Sequence, residues 1–154
     1  MVTVIRRFVV AFMVATLTFP AGPAHSATPP VKACPQYHAA MRKVGLPPEL
    51  FSAIMYRESR CDPKAIGWNY HPGMSYKDCK RQIASLYKRC RAVRTYDSGL
   101  LQINSTWVTV TAQVCKTRYG DMSVLLRPAC NLAVAAHLYK TSGIGNWRAT
   151  SGKR

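Results

Sequence analysis

The chain has 154 residues, 48% of them hydrophobic, and carries 22 Lys and Arg against 6 Asp and Glu for a net charge of +16. That length holds one domain with a modest core, and the charge points to polyanionic surroundings such as cell wall, an anionic lipid surface or nucleic acid. The six cysteines contain no Cys-x-x-Cys pair, which argues against a zinc site and for a disulfide framework in an oxidising compartment.

Residues 1–26 read as a secretory signal peptide. Arg6 and Arg7 form the positive region, Phe8 to Phe19 is an apolar run too short to span a bilayer, and Ala24 and Ser26 flank a cleavage site before Ala27. Processing would leave residues 27–154 as one domain with 20 Lys and Arg, 6 Asp and Glu, a net charge of +14 and all the cysteines. The expected product is an exported protein, periplasmic or in the extracellular wall, with no integral membrane segment.

A first helix is predicted over 34–45, ending at Gly45. Pro47 and Pro48 open the next, which stops before Pro63. On it, Phe51, Ile54 and Met55 lie seven, four and three residues before Glu58, the spacing of one buried stripe. A carboxylate there is costly to ionise, and a proton held near neutral pH is what a general acid requires. The other glutamate, Glu49, falls in the first turn, where it suits the helix dipole.

Residues 67–74 read as a loop. Residues 75–93 read as a basic helical insertion capped by Ser75 and Asp78. Cys79, Ile83, Leu86, Cys90 and Val93 line one face, and Lys77, Lys80, Arg81, Lys88, Arg89 and Arg91 the other. In such a helix Cys79 and Cys90 would stand roughly 16 Å apart, beyond the reach of a disulfide. A turn and short strand are expected over 95–104. Residues 105–118 suit either a strand or a helix capped by Ser105. Asp121 would cap a short helical turn to Leu126, and residues 128–142 form a last helix, opened by Pro128 and ended by Gly143.

Glu58-Ser59, the stretch Tyr96-Asp-Ser-Gly-Leu-Leu-Gln-Ile-Asn-Ser-Thr-Trp107 and the later Pro128-Ala-Cys-Asn131 together resemble the lysozyme-like lytic transglycosylase superfamily over about residues 34–147. The nearest likeness is to the small exported enzymes that accompany bacterial secretion and conjugation machines. Animal c-type lysozymes share a similar Asp-x-Gly-x-Leu-Gln-Ile-Asn-Ser run. The resemblance implies a mainly α, α+β lysozyme-like fold, with a short β-hairpin beside a catalytic cleft.

It further implies peptidoglycan as substrate, cut between N-acetylmuramic acid and N-acetylglucosamine. Glu58 would be the acid and then the base, forming a 1,6-anhydro product. Asp97 matches the second carboxylate of the lysozyme run and is equally readable as a turn aspartate; with both carboxylates the outcome could be hydrolysis. Gln102 would bond acetamido or carbonyl groups. Ser59, Asn104, Tyr139 and Trp147 complete the candidate cleft set, Ser59 as a support for Glu58 and Asn104 chiefly as a structural residue. Trp68, Trp107, Tyr139 and Trp147 suit either sugar stacking or the core.

The resemblance also suggests a Cys34–Cys130 bridge. Cys61 with Cys79 and Cys90 with Cys115 are the preferred remaining pairs, from three possibilities. Many relatives follow the tryptophan with Ala-Tyr-Asn-Ala-Gly, where this chain has Trp147-Arg-Ala-Thr-Ser-Gly. The expected state is a monomer without cofactor or metal, since neither His-Glu-x-x-His nor a phosphate-cradling glycine loop occurs. A non-catalytic cationic wall-binding protein explains the charge but not Glu58. An exported ribonuclease would need converging histidines, and His38, His71 and His137 are scattered, so no nucleic-acid partner is expected.

Overall fold

The computed structural model describes residues 32–79 and 90–148. The signal-peptide reading and most of the basic segment between Cys79 and Cys90 lie outside them. Helix α1 (His38–Val44) follows a 3-10 turn at Pro35–Tyr37. It ends where Gly45 turns left-handed at φ 80° and Leu46 N–H returns to Met41 O at 3.0 Å. Helix α2 (Pro48–Ser59) begins on proline, whose missing N–H costs nothing in a first turn.

Among the described residues the other α-helices are α3 (Val108–Cys115) and α4 (Pro128–Ser142). Leu132, Val134, Ala135 and Leu138 make α4 the buried axis of the domain. Helices α1 and α3, the 3-10 turn Met122–Leu126 and the terminal turn Gly143–Trp147 all pack on it. Phe51 of α2 joins this core edge-on to Tyr139, with centroids 5.0 Å apart, and to Trp147 at 5.2 Å. Among the described residues no helix is long and apolar enough to cross a membrane.

The sheet has three antiparallel strands in the order β1 (Ile66–Tyr70), β2 (Val93–Ser98) and β3 (Ile103–Asn104). Its register sets Gly67 opposite Asp97, Asn69 opposite Thr95, and Asp97 opposite Asn104. Because side chains alternate along a strand, these polar residues share one face. Trp68 and Tyr96 take the other, ring centroids 5.6 Å apart. A second small apolar cluster of Cys79, Cys90, Ala92 and Val93 packs against Trp68 and Tyr70.

Three expectations are corrected, and the open choice over residues 105–118 falls to a helix. Residues 66–70 form a strand where a loop was expected, because Trp68 finds its packing across the sheet rather than nearby in sequence. The helix expected over 75–93 is excluded. Tyr76–Cys79 is a 3-10 turn, Val93 already belongs to β2, and Cys79 is bonded to Cys90 with Cα atoms 5.5 Å apart, a third of the helical spacing. Residues 108–115 are helical, and the cap beside them is Asn104, not Ser105. Asn104 Oδ1 accepts from Thr106 N–H at 3.0 Å, while Ser105 Oγ accepts from Tyr96 N–H at 3.2 Å.

The disulfides are Cys34–Cys61, Cys79–Cys90 and Cys115–Cys130, so all three expected pairs are wrong. The bridges join cysteines 27, 11 and 15 positions apart. The α1–α2 pair returns Cys61 to Cys34, and the packing of α3 on α4 brings the end of one to the first turn of the other.

Candidate active site

Helix α2 ends at its chemically loaded residues. Glu58 is half-buried, less enclosed than its stripe suggested, while its neighbour Ser59 is buried. Ser59 Oγ donates to Leu100 O at 2.9 Å, with Met55 O at 3.2 Å as the alternative acceptor. That bond pins the end of α2 to the turn between β2 and β3. The hydroxyl of the residue after Glu58 is thus committed to backbone.

The turn is braced from α4. Asn131 is fully buried. Its Nδ2 donates to Ser98 O at 2.8 Å and Leu125 O at 3.0 Å, and its Oδ1 accepts from Leu101 N–H at 2.9 Å. Gly99 is left-handed at φ 75°, and a Cβ there would collide with Leu125 O and Asn131 Nδ2. This turn accepts only glycine for two independent reasons, conformation and space.

Gln102 stands at φ 45°, unusual for a residue with a side chain. Its Nε2 donates to Gly99 O at 2.9 Å and Ala65 O at 3.1 Å. These bonds orient the amide and leave Oε1 over Gly67, where a Cβ would lie 2.9 Å from it. Gly67 is thus the gap in β1 that admits Gln102.

Asp97 is half-buried on the polar sheet face. Asn104 Nδ2 donates to its Oδ1 and Asn69 Nδ2 to its Oδ2, each at 2.7 Å. Both amides also reach Thr95 Oγ1, at 3.3 and 3.2 Å. One carboxylate oxygen is held from each side, so the group cannot rotate without losing a charge-assisted bond.

Asp97, Gln102 and Asn104 line a cavity of about 260 Å³ together with Ile103, Trp107, Leu138, Asn146 and Trp147. Its polar groups come from the β2–β3 hairpin and from Asn146 of the terminal turn, and its apolar wall from Ile103, Trp107, Leu138 and Trp147. Trp147 is buried and its Nε1 donates to Leu101 O at 3.0 Å, so the indole is a fixed part of the wall. Tyr139, Ser59 and Glu58 are not among the lining residues. Tyr139 is instead spent on Phe51, and Trp68 on Tyr96.

Sequence reasoning assigned no role to Asn69, Asn131 or Asn146. Asn131 stood in the Pro-Ala-Cys-Asn run and was the one with a signal. Among the described residues no group of His, Cys, Asp and Glu gathers as a metal site.

No curated protein and no solved structure matches the chain. The transglycosylase SLT domain family matches residues 36–148. That span runs from the turn before α1 to the end of the terminal turn and takes in Glu58, the Asp97–Asn104 hairpin and Asn131. The chain therefore belongs to the transglycosylase SLT domain family, within the lytic transglycosylases and with their lysozyme-like fold.

Proposed function

We propose that the protein is a peptidoglycan lytic transglycosylase that cleaves the β-1,4 bond between N-acetylmuramic acid and N-acetylglucosamine. The observation that carries this reading is the fastening of the Glu58 end of α2, through Ser59 and Leu100, to the hairpin that bears Asp97, Gln102 and Asn104. An acid at the end of a core helix, with that helix end fastened to the hairpin that lines a polar cavity, suits general-acid cleavage of a glycoside.

In this reading Glu58 gives its proton to the glycosidic oxygen as the bond to the muramic C1 breaks. The substrate's own acetamido oxygen bonds to C1 and holds the positive charge. Glu58, now ionised, takes the proton from the C6 hydroxyl, whose oxygen displaces the acetamido oxygen from C1. The product is the 1,6-anhydro sugar, and no water is consumed. Gln102 Oε1 would accept from an acetamido N–H of the bound strand. Asn146 and Trp107 would add a polar and a stacking contact.

A lysozyme-type hydrolysis is the second reading. It is favoured by one observation, the two-sided clamp on Asp97 at the cavity edge, which suits a carboxylate that must help water attack. The physiological setting we infer is local wall remodelling by an exported monomer, as at a secretion or conjugation apparatus. Release of muropeptides from purified peptidoglycan is the test. Replacing the general acid, Glu58→Gln, is expected to slow it by roughly a hundredfold to ten-thousandfold.

A further inference from the structure

A second cavity, of about 330 Å³, lies away from the site just described and is lined by Lys32, Tyr56, Arg57 and Arg60. Three of its four residues are cations, and none is acidic. Two segments distant in sequence build it, and the Cys34–Cys61 bridge joins them. The bridge ties the irregular segment carrying Lys32 to the end of α2, and Arg60 immediately precedes Cys61.

The end of α2 is shaped to present these groups. Arg60 takes the left-handed conformation at φ 57° and Cys61 follows at φ 67°. The Arg60 guanidinium lies over the Tyr56 ring, 4.7 Å from its centroid. Stacking uses the flat face of a guanidinium, and its N–H donors point outward in the plane, in the fork that matches a carboxylate. At 3.6 residues per turn, Tyr56 and Arg57 centre about 150° around the helix from Glu58. The cationic cavity is therefore on the outer side of the helix whose inner side carries the acid.

We propose that this cavity is an exosite for the carboxylates of peptidoglycan stem peptides, holding a neighbouring wall strand while another occupies the cleft. The inference rests on the peptidoglycan reading above. The class of ligand follows from the donor set: two guanidinium groups and an ammonium suit a carboxylate-bearing polymer, and Tyr56 offers a neutral surface to the adjoining peptide. A strand bound here keeps the enzyme on insoluble wall between cleavages.

The test measures binding without turnover. The Glu58→Gln protein is sedimented with purified peptidoglycan at about 0.1 M salt, where distant surface charges are largely screened. The triple variant Lys32→Gln, Arg57→Gln, Arg60→Gln is expected to weaken binding about tenfold. A control that removes the same charge elsewhere, Lys43→Gln, Lys140→Gln, Arg148→Gln, is expected to weaken it less than threefold. Independently of any variant fold, wall whose carboxylates have been amidated should bind the otherwise unaltered protein about tenfold more weakly.

Equal losses in the two triple variants, or undiminished binding to amidated wall, would overturn the exosite. The catalytic reading fails separately, through absence of muropeptide release by the wild type, and leaves this binding comparison intact.

Discussion

Asn104 joins Asp97 to the start of the helical segment that follows the sheet. Its Nδ2 donates to Asp97 Oδ1 at 2.7 Å, while its Oδ1 caps Thr106 N–H at 3.0 Å. One side chain thus orients a candidate catalytic carboxylate and terminates β3. Asn104→Ala is expected to cost about 2 kcal/mol, from the lost cap and the lost bond to a carboxylate, discounted for partial exposure. Asn69→Ala breaks only the second clamp and should cost about 1 kcal/mol. Thermal melting separates the two.

Asp97→Asn sets an amide against two amide donors, so it is expected to lower stability by about 1–3 kcal/mol. If Asp97 assists water, muropeptide release falls at least tenfold at a temperature where the variant remains folded. If it only organises the sheet, release tracks the folded fraction measured by circular dichroism.

The turn at Gly99 is the least tolerant position near the site. Gly99→Ala forces a Cβ onto Leu125 O and Asn131 Nδ2 at a left-handed φ, at an expected cost of about 2–4 kcal/mol. Asn131→Ala leaves Leu101 N–H and the carbonyls of Ser98 and Leu125 without their partner in a buried setting, and should cost about 3 kcal/mol. The double variant should cost less than the sum, since the two share one contact. Denaturant titration of the four proteins checks this.

The disulfides differ in the loops they close. The Cys34–Cys61 bridge spans 27 positions and Cys79–Cys90 spans 11. Chain-entropy estimates give about 3.6 kcal/mol for the first and about 2.8 for the second. Replacing the first pair by serine should therefore lower the melting temperature more. Non-reduced peptide mapping should recover the Cys79–Cys90 peptide pair.

Asp121 offers a pH-dependent contribution. Hydrogen bonding from Ser123 Oγ, which outweighs a smaller opposing effect of burial, holds its carboxyl below the ordinary aspartate value of 3.8; Thr117 Oγ, the Ser123 N–H and the Arg127 charge add to the lowering. A depressed folded-state value favours folding above the unfolded pKa and is lost as the pH falls through the folded one. Asp121→Ala should cost about 1 kcal/mol at pH 7, as for a lost N-cap. The gap between the variant and the wild type should begin to narrow near pH 3.8 and close further as the pH falls through the lower folded-state value.

Helices α1, α2 and α4 were legible because punctuation marks them locally: Gly45, Pro48, Pro128 and Gly143 stand at their ends. Strand β1 was not, because Gly67, Pro72 and Gly73 imitate a loop while its pairing partners lie on β2, 23 to 32 positions away. The cysteine pairs failed for the same reason. Pairing is decided by which elements pack on each other, and each cysteine bonds a partner 11 to 27 positions away rather than across the long range taken from relatives.

At the site, Glu58 stood out by its place on an apolar stripe, and Asp97, Gln102 and Asn104 through the family resemblance of the run from Tyr96 to Trp107. The clamp from Asn69 and the admission of Gln102 by Gly67 depend on cross-strand register, which no spacing within β1 encodes. Tyr139 was a cleft candidate by resemblance and Trp147 suited either sugar stacking or the core; both pack on Phe51, and Trp147 also walls the cavity.

The most direct measurement is mass spectrometry of muropeptides released from purified peptidoglycan by the wild type beside Glu58→Gln. The account predicts anhydro-muropeptides from the wild type and none above background from the variant. Reducing-end muropeptides that vanish in the variant would replace transglycosylation with hydrolysis, and equal release by both proteins would contradict Glu58 as the acid.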